Sequence, residues 1–176
     1  MATTKWVLDP THSELQFKVK HLMISTVTGS FNEFSAELDT DNDDFENSAV
    51  SFKAGVDSID TGNKDRDGHL IGGDFFNAAD FPVVSFVSTS FTKDGDDYQL
   101  KGDLTIKDVT KPVTLDVEFG GTAQDPWGNT KAGFTIKGKI NRTDFGLTYN
   151  AALETGGVML GEEVKILGEL QFAKQA

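Results

Sequence analysis

The segment DSIDTGNKDRDGHLIGGDFFNAADFPVVSF, Asp57 to Phe86, is the one place in this chain where strand-like alternation stops and charge, glycine and aromatics are packed together. Within it, Lys64 to Ile71 is the best helix candidate, with Thr61 or Asn63 as cap and the Gly72-Gly73 pair suited to a left-handed terminus. Gly68 in its middle costs about 1 kcal/mol relative to alanine, so the spacing predicts a short, partly 3₁₀ element. At helical spacing Arg66, His69 and Leu70 share a face, and Asp65 sits one turn before His69.

Outward from this interruption the chain reads as strands. Leu15, Phe17 and Val19 alternate with Gln16, Lys18 and Lys20, the period of a strand with one buried face. Val27 to Leu38 is less regular and ends in the acidic turn Asp39 to Asp44. Val50, Phe52, Ala54 and Val56 follow. After the central segment, Val83 to Phe91 is apolar on both parities, and a turn at Lys93 to Asp97 marks a hairpin. Four further inward rows run through Tyr98 to Ile106, Val113 to Phe119, Phe134 to Ile140 and Val164 to Phe172. Pro112 suits a strand start, where a missing donor is tolerated. These runs amount to about eight strands at hairpin spacing, which predicts an antiparallel meander closed into a barrel, with one short helix inserted between strands.

Three inward rows carry a glycine at mid-strand: Gly102, Gly138 and Gly168. One reading is that they let the barrel coil. The other is that their missing side chains leave room inside for a ligand. The chain holds 14 phenylalanines, and an eight-stranded barrel is wide enough either to fill itself with such residues or to hold one small apolar ligand.

Length and composition limit the function. At 176 residues the chain is long enough for one sizeable core, so a single domain spanning 1–176 is expected. A net charge of -12 disfavours nucleic acid and anionic membrane surfaces as partners. With no cysteine there is no thiolate chemistry and no cysteine zinc site. No stretch approaches the roughly 20 apolar residues of a spanning helix, so membrane insertion is not expected. The N-terminal residues lack a basic start followed by an apolar run, which predicts a cytoplasmic protein.

Few constellations suggest chemistry. His12, His21 and His69 lack the spacing of a zinc motif, and no cofactor or metal is expected. His21 continues the inward parity of Phe17 and Val19, toward a cavity or a hydrogen-bonded core position. His12 beside Ser13 is too little to name a nucleophile and base. Asp39, Asp41 and Asp43 imitate the start of a calcium loop, but Asp44 and Val50 stand where that loop needs glycine and glutamate. Asn141-Arg142-Thr143 matches a glycosylation sequon by coincidence. Arg66, with Leu70 and Phe75 as apolar neighbours, can either close a barrel mouth over an anionic head group through forked donors or form a structural ion pair with Asp65 or Asp67.

Taken in order, Trp6-Val7-Leu8-Asp9, His12-Ser13, Phe17, His21, Gly29-Ser30-Phe31 and Ser58-Ile59-Asp60-Thr61 resemble the YceI-like family. So do Arg66-Asp67-Gly68-His69-Leu70, Asp74-Phe75-Phe76, Phe81-Pro82, Gly102 to Lys107, Val109 to Val113 and Arg142 to Gly146. The resemblance covers nearly the full chain. It implies a lipocalin-like, eight-stranded antiparallel barrel that holds a long isoprenoid tail, without catalysis and often as a homodimer. On that reading the chain sequesters or carries a quinone or a polyprenyl phosphate. Candidate ligand contacts are Phe17, Val19, His21, Phe52, Arg66, His69, Leu70, Phe75, Gly102, Gly138 and Gly168. The competing class is an enzyme for an apolar substrate with His69, Asp67 or His21 as acid or base.

Overall fold

The computed structural model describes residues 3–22, 24–41, 45–148, 150 and 160–175. Positions 42–44 of the acidic Asp39 to Asp44 turn lie outside the described residues.

Strands β1 (Thr4–Leu8) and β2 (Glu14–His21) are separated by a 3₁₀ turn at Pro10–His12, and both pair antiparallel with the last strand. They act as two halves of one stave. Ser13 pins the break: its hydroxyl donates to the Asp9 carbonyl at 2.7 Å and accepts the Gln171 N–H at 3.0 Å. His12 and Ser13 thus belong to a splice in the wall.

The region expected as one irregular strand is also divided, into β3 (Ser25–Phe31) and β4 (Phe34–Thr40). The third stave is β5 (Ala49–Gly55), a 3₁₀ turn at Val56–Ser58, and the two-residue β6 (Ile59–Asp60). Then come β7 (Val83–Asp94), β8 (Asp97–Ile106), β9 (Val109–Gln124), β10 (Thr130–Asn141) and β11 (Leu160–Lys174). Each stave pairs with the next, and β11 returns to β1 and β2, closing an eight-stranded antiparallel barrel. Pro112 lies inside β9 and not at its start, opposite Asp103 of β8. The β9 pairing with β10 begins only at Asp116, so the missing donor of Pro112 costs no ladder bond on that edge.

Among the described residues β6 pairs with β3 alone, whereas β5 pairs with β7. The connection 61–82 stands beside that gap and carries the helix α1 (Lys64–Ile71). The helix has the predicted boundaries but is α-helical throughout. The Asn63 side chain caps it by accepting the Arg66 N–H at 3.0 Å. Its end departs from expectation, because Gly72 is extended at φ -80° and not left-handed. The left-handed position is Asn77 at φ 50°, after a run of turns in which the Phe76 N–H reaches the Leu70 carbonyl at 3.0 Å.

The barrel is filled at one end only. Phe45, on the connection from β4 to β5, is 2% exposed and packs against Trp6 at 5.2 Å, Phe134 at 5.3 Å and Phe119 at 5.4 Å. Phe91 and Tyr98 stack at 4.7 Å in the same cluster. This aromatic plug seals the end where β1 and β4 lie, and α1 caps the other.

Candidate functional site

Beyond the plug the barrel is hollow. The cavity has a volume of about 320 Å³ and is lined almost wholly by apolar side chains. Along β11 its wall runs from Leu160 to Leu170, about 33 Å of strand at ~3.3 Å per residue. With strands tilted about 40° that is roughly 25 Å along the barrel axis. So long a space in a volume at the lower end for drug-sized pockets is slender.

Nine of the eleven residues singled out from the sequence line this cavity: Phe17, Val19, His21, Phe52, Arg66, His69, Leu70, Phe75 and Gly168. Gly102 and Gly138 do not. A Cβ at Gly102 would overlap the ring of Phe86 and the Val87 carbonyl, and one at Gly138 would overlap Leu115. Those two glycines give room to side chains of the neighbouring strand. At Gly29 the Phe17 ring lies over the glycine in the same way. Gly168 alone of the three inward glycines opens on the cavity, with Leu170 and Ile136 at ordinary contact distance.

Polar groups gather at the helix end. Arg66 is exposed, and its guanidinium donates to the Thr61 hydroxyl at 2.7 Å and the Thr61 carbonyl at 2.6 Å. Thr61 is itself held by Asp67, whose Oδ1 accepts the Thr61 N–H at 2.8 Å and its hydroxyl at 2.5 Å. Asp67 therefore orients Thr61, and Thr61 orients Arg66. Among the described residues Arg66 has no carboxylate within ion-pair distance, so the pair with Asp65 or Asp67 is not formed. His69 shares Nε2 with Asp74 Oδ2 at 2.9 Å and presents its ring edge-on to Phe75 at 5.1 Å.

Arg142 was passed over in the sequence. It sits in a 3₁₀ turn at Arg142–Phe145, is 4% exposed and lines the cavity. Its Nε donates to the Gly161 carbonyl at 2.8 Å and its Nη1 to the Leu147 carbonyl at 2.6 Å. Burial pushes the guanidinium below its ordinary value, opposed by the charge of Glu162. The signal was present: the inward parity of Phe134, Ile136, Gly138 and Ile140, carried one step further, lands on Arg142.

Asp67 is committed to Thr61 and is outside the cavity wall, leaving His21 and His69 as the titratable candidates facing the interior. Among the described residues no group of three or more His, Asp or Glu is placed to hold a metal ion, and no helix is long and apolar enough to cross a membrane.

A closed antiparallel barrel, plugged at one end and hollow at the other, is the architecture of a binding protein. The chain belongs to the YceI-like family, whose domain model matches residues 6–172. A UPF0312 protein of Staphylococcus epidermidis is 44% identical over 171 residues, 97% of this chain and 98% of that one. A Staphylococcus aureus UPF0312 protein is 42% identical over the same span. Among solved structures, Burkholderia cenocepacia BcnA superposes with a TM-score of 0.78 at 26% identity, covering 93% of this chain and 98% of that one. The Campylobacter jejuni YCEI protein gives 0.75 at 32% identity, with 89% and 90% covered. A polyisoprenoid binding domain from Saccharophagus degradans gives 0.67 at 18% identity, over 97% and 98%, a likeness of fold alone.

Proposed function

We propose that this protein sequesters or carries a long-chain polyisoprenoid, a quinone or a polyprenyl phosphate, with the tail along the barrel axis and the head group at the α1 end. The observation that carries this reading is the division of the cavity wall, apolar along its length with Thr61, Arg66, His69 and Arg142 gathered toward one end. An apolar tail gains about 25 cal/mol for each Å² it removes from water, while a polar head is stabilised only where donors await it. The Saccharophagus degradans neighbour, a polyisoprenoid binding domain of the same fold, supports the choice of a prenyl chain.

The test is mass spectrometry of an organic extract of the protein purified from its own cells without detergent. A prenyl-chain lipid in near-stoichiometric amount is the expected result. Straight-chain fatty acids alone, or no lipid, would overturn the reading.

A further inference from the structure

The outer wall of the barrel carries a local row of basic residues. Lys139 of β10 lies directly opposite Lys165 of β11, and Lys165 directly opposite Lys18 of β2, so three exposed lysines form a ladder across three adjacent strands. Like charges at directly opposed positions destabilise a sheet. Among the described residues none of the three has an ion-pair partner. On the same face, four residues further from the β2 tip, Glu14 stands opposite Glu169. A chain of net charge -12 has thus gathered unpaired positive charge at one level of one face and left acid at the next.

The ladder leads to an apolar tip. Lys20, exposed and opposite Thr26, is one step nearer the turn than Lys18. Glu162 and Glu163 are the exposed acids of β11 at this level. The turn is closed by the Ile24 N–H on the His21 carbonyl at 3.3 Å, and it leaves Leu22 38% and Ile24 84% exposed. Leu22 has φ 54°, the left-handed region where glycine or asparagine would serve the turn better than leucine. His21, the first residue of this turn, lines the cavity together with its β11 partner Leu160.

From this juxtaposition we infer that the β2–β3 hairpin docks the hollow end of the barrel on an anionic lipid bilayer, Ile24 and Leu22 entering the interface and Lys18, Lys20, Lys139 and Lys165 facing the head groups. Net charge averages over the molecule, whereas screening limits each charge to about 10 Å, so a local ladder acts as a basic surface on an acidic protein. Apolar contact and electrostatic attraction together make interfacial binding strong enough to be useful and still reversible. The inference rests on the lipid-binding reading only for its purpose, loading or unloading through the end lined by His21.

Co-sedimentation with vesicles of phosphatidylcholine, with and without phosphatidylglycerol, tests it directly. Binding to the mixed vesicles, little to pure phosphatidylcholine, and release by added salt are expected. Combined Lys18→Glu, Lys139→Glu and Lys165→Glu changes should weaken that binding by roughly a hundredfold or more, each lysine near a charged surface being worth about fivefold. A Lys→Gln version of the same triple change should weaken it less, and Ile24→Asp should weaken it with the ladder intact. No binding to the anionic vesicles at low salt, equal binding to both vesicle types, or binding unaffected by either set of changes overturns the inference. Prenyl lipid retained by variants that no longer bind vesicles is expected. Vesicle binding by a protein that yields no prenyl lipid would leave the docking surface standing and remove the proposed cargo.

Discussion

Phe86 of β7 and Gly102 of β8 share one volume: the ring lies where a side chain at position 102 would stand, with the Val87 carbonyl pressed against the same spot. Gly102→Ala should therefore overpack the wall and destabilise the fold by about 1–3 kcal/mol. Denaturant titration reads this as a lower midpoint with unchanged slope. Unaltered stability would show that the ring yields freely and that Gly102 serves another end.

Gly168 makes the opposite case. Its nearest neighbours to an added Cβ are Leu170 Cγ at 3.6 Å and Ile136 Cβ at 3.7 Å, ordinary contacts, and beyond them is the cavity. Gly168→Leu should fold, with its side chain occupying cavity space that the proposed lipid tail would fill. Lipid recovered from the purified variant should fall sharply while its circular dichroism stays that of the parent. Full lipid content would mean that the tail does not pass this point.

The contrast between these two glycines marks how far the sequence could be read. Alternation placed the eight staves and the helix because period 2 and period 3.6 are local properties of the chain. The breaks at Pro10–His12, Asn32-Glu33 and Val56–Ser58 were less legible, since what makes two short strands one stave is pairing with strands distant in sequence, as β1 and β2 both pair with β11. Which glycine faces a neighbour's ring and which faces the cavity depends on side chains from an adjacent strand, and no local pattern contains that. Arg66, His69 and Leu70 were found together because one helical face holds them. Arg142 was missed although its parity was readable, because an arginine on an apolar row suggests the row has ended. Only the carbonyls of Leu147 and Gly161 explain how the charge is kept inside.

Phe45 separates the filled end from the hollow one. Its φ is 61°, it is almost fully buried, and it contacts Trp6, Phe119 and Phe134. Phe45→Ala should cost about 3–5 kcal/mol, the loss of a buried ring plus the void it leaves. Thermal melting measures the loss. If the void joins the existing cavity, the variant should also take up a small apolar probe such as xenon or benzene that the parent excludes from that end.

Asp9 gives the splice between β1 and β2 a pH dependence. Its carboxylate accepts from the Thr11 hydroxyl at 2.7 Å, from His12 at 2.8 Å and from Lys131 at 3.0 Å, and these hold it well below the usual carboxylate range. A folded-state value depressed below the unfolded one, about 4, contributes stability that is present above pH 4 and lost as pH falls toward the folded value. Asp9→Asn should be less stable than the parent by about 1.5–3 kcal/mol at neutral pH. That gap should close progressively below about pH 4. A gap that stays constant through acid would assign it to packing of the side chain and not to its charge.

On the proposed reading, Arg66 decides what kind of head group the hollow end receives. Thr61 holds its guanidinium through Nε and Nη2, Asp67 holds Thr61, and among the described residues no carboxylate neutralises the charge. The arginine is thus fixed in place without being paired, the condition for a charge-assisted hydrogen bond to an incoming anion. Arg66→Ala should weaken binding of a polyprenyl phosphate by about ten- to a hundredfold, and Arg66→Lys should recover only part of it because a point charge cannot reproduce the fork. A neutral prenyl quinone should bind the variants almost as it binds the parent. Parallel titrations of the two lipids distinguish this from a merely structural arginine, for which both affinities and the melting temperature would fall together.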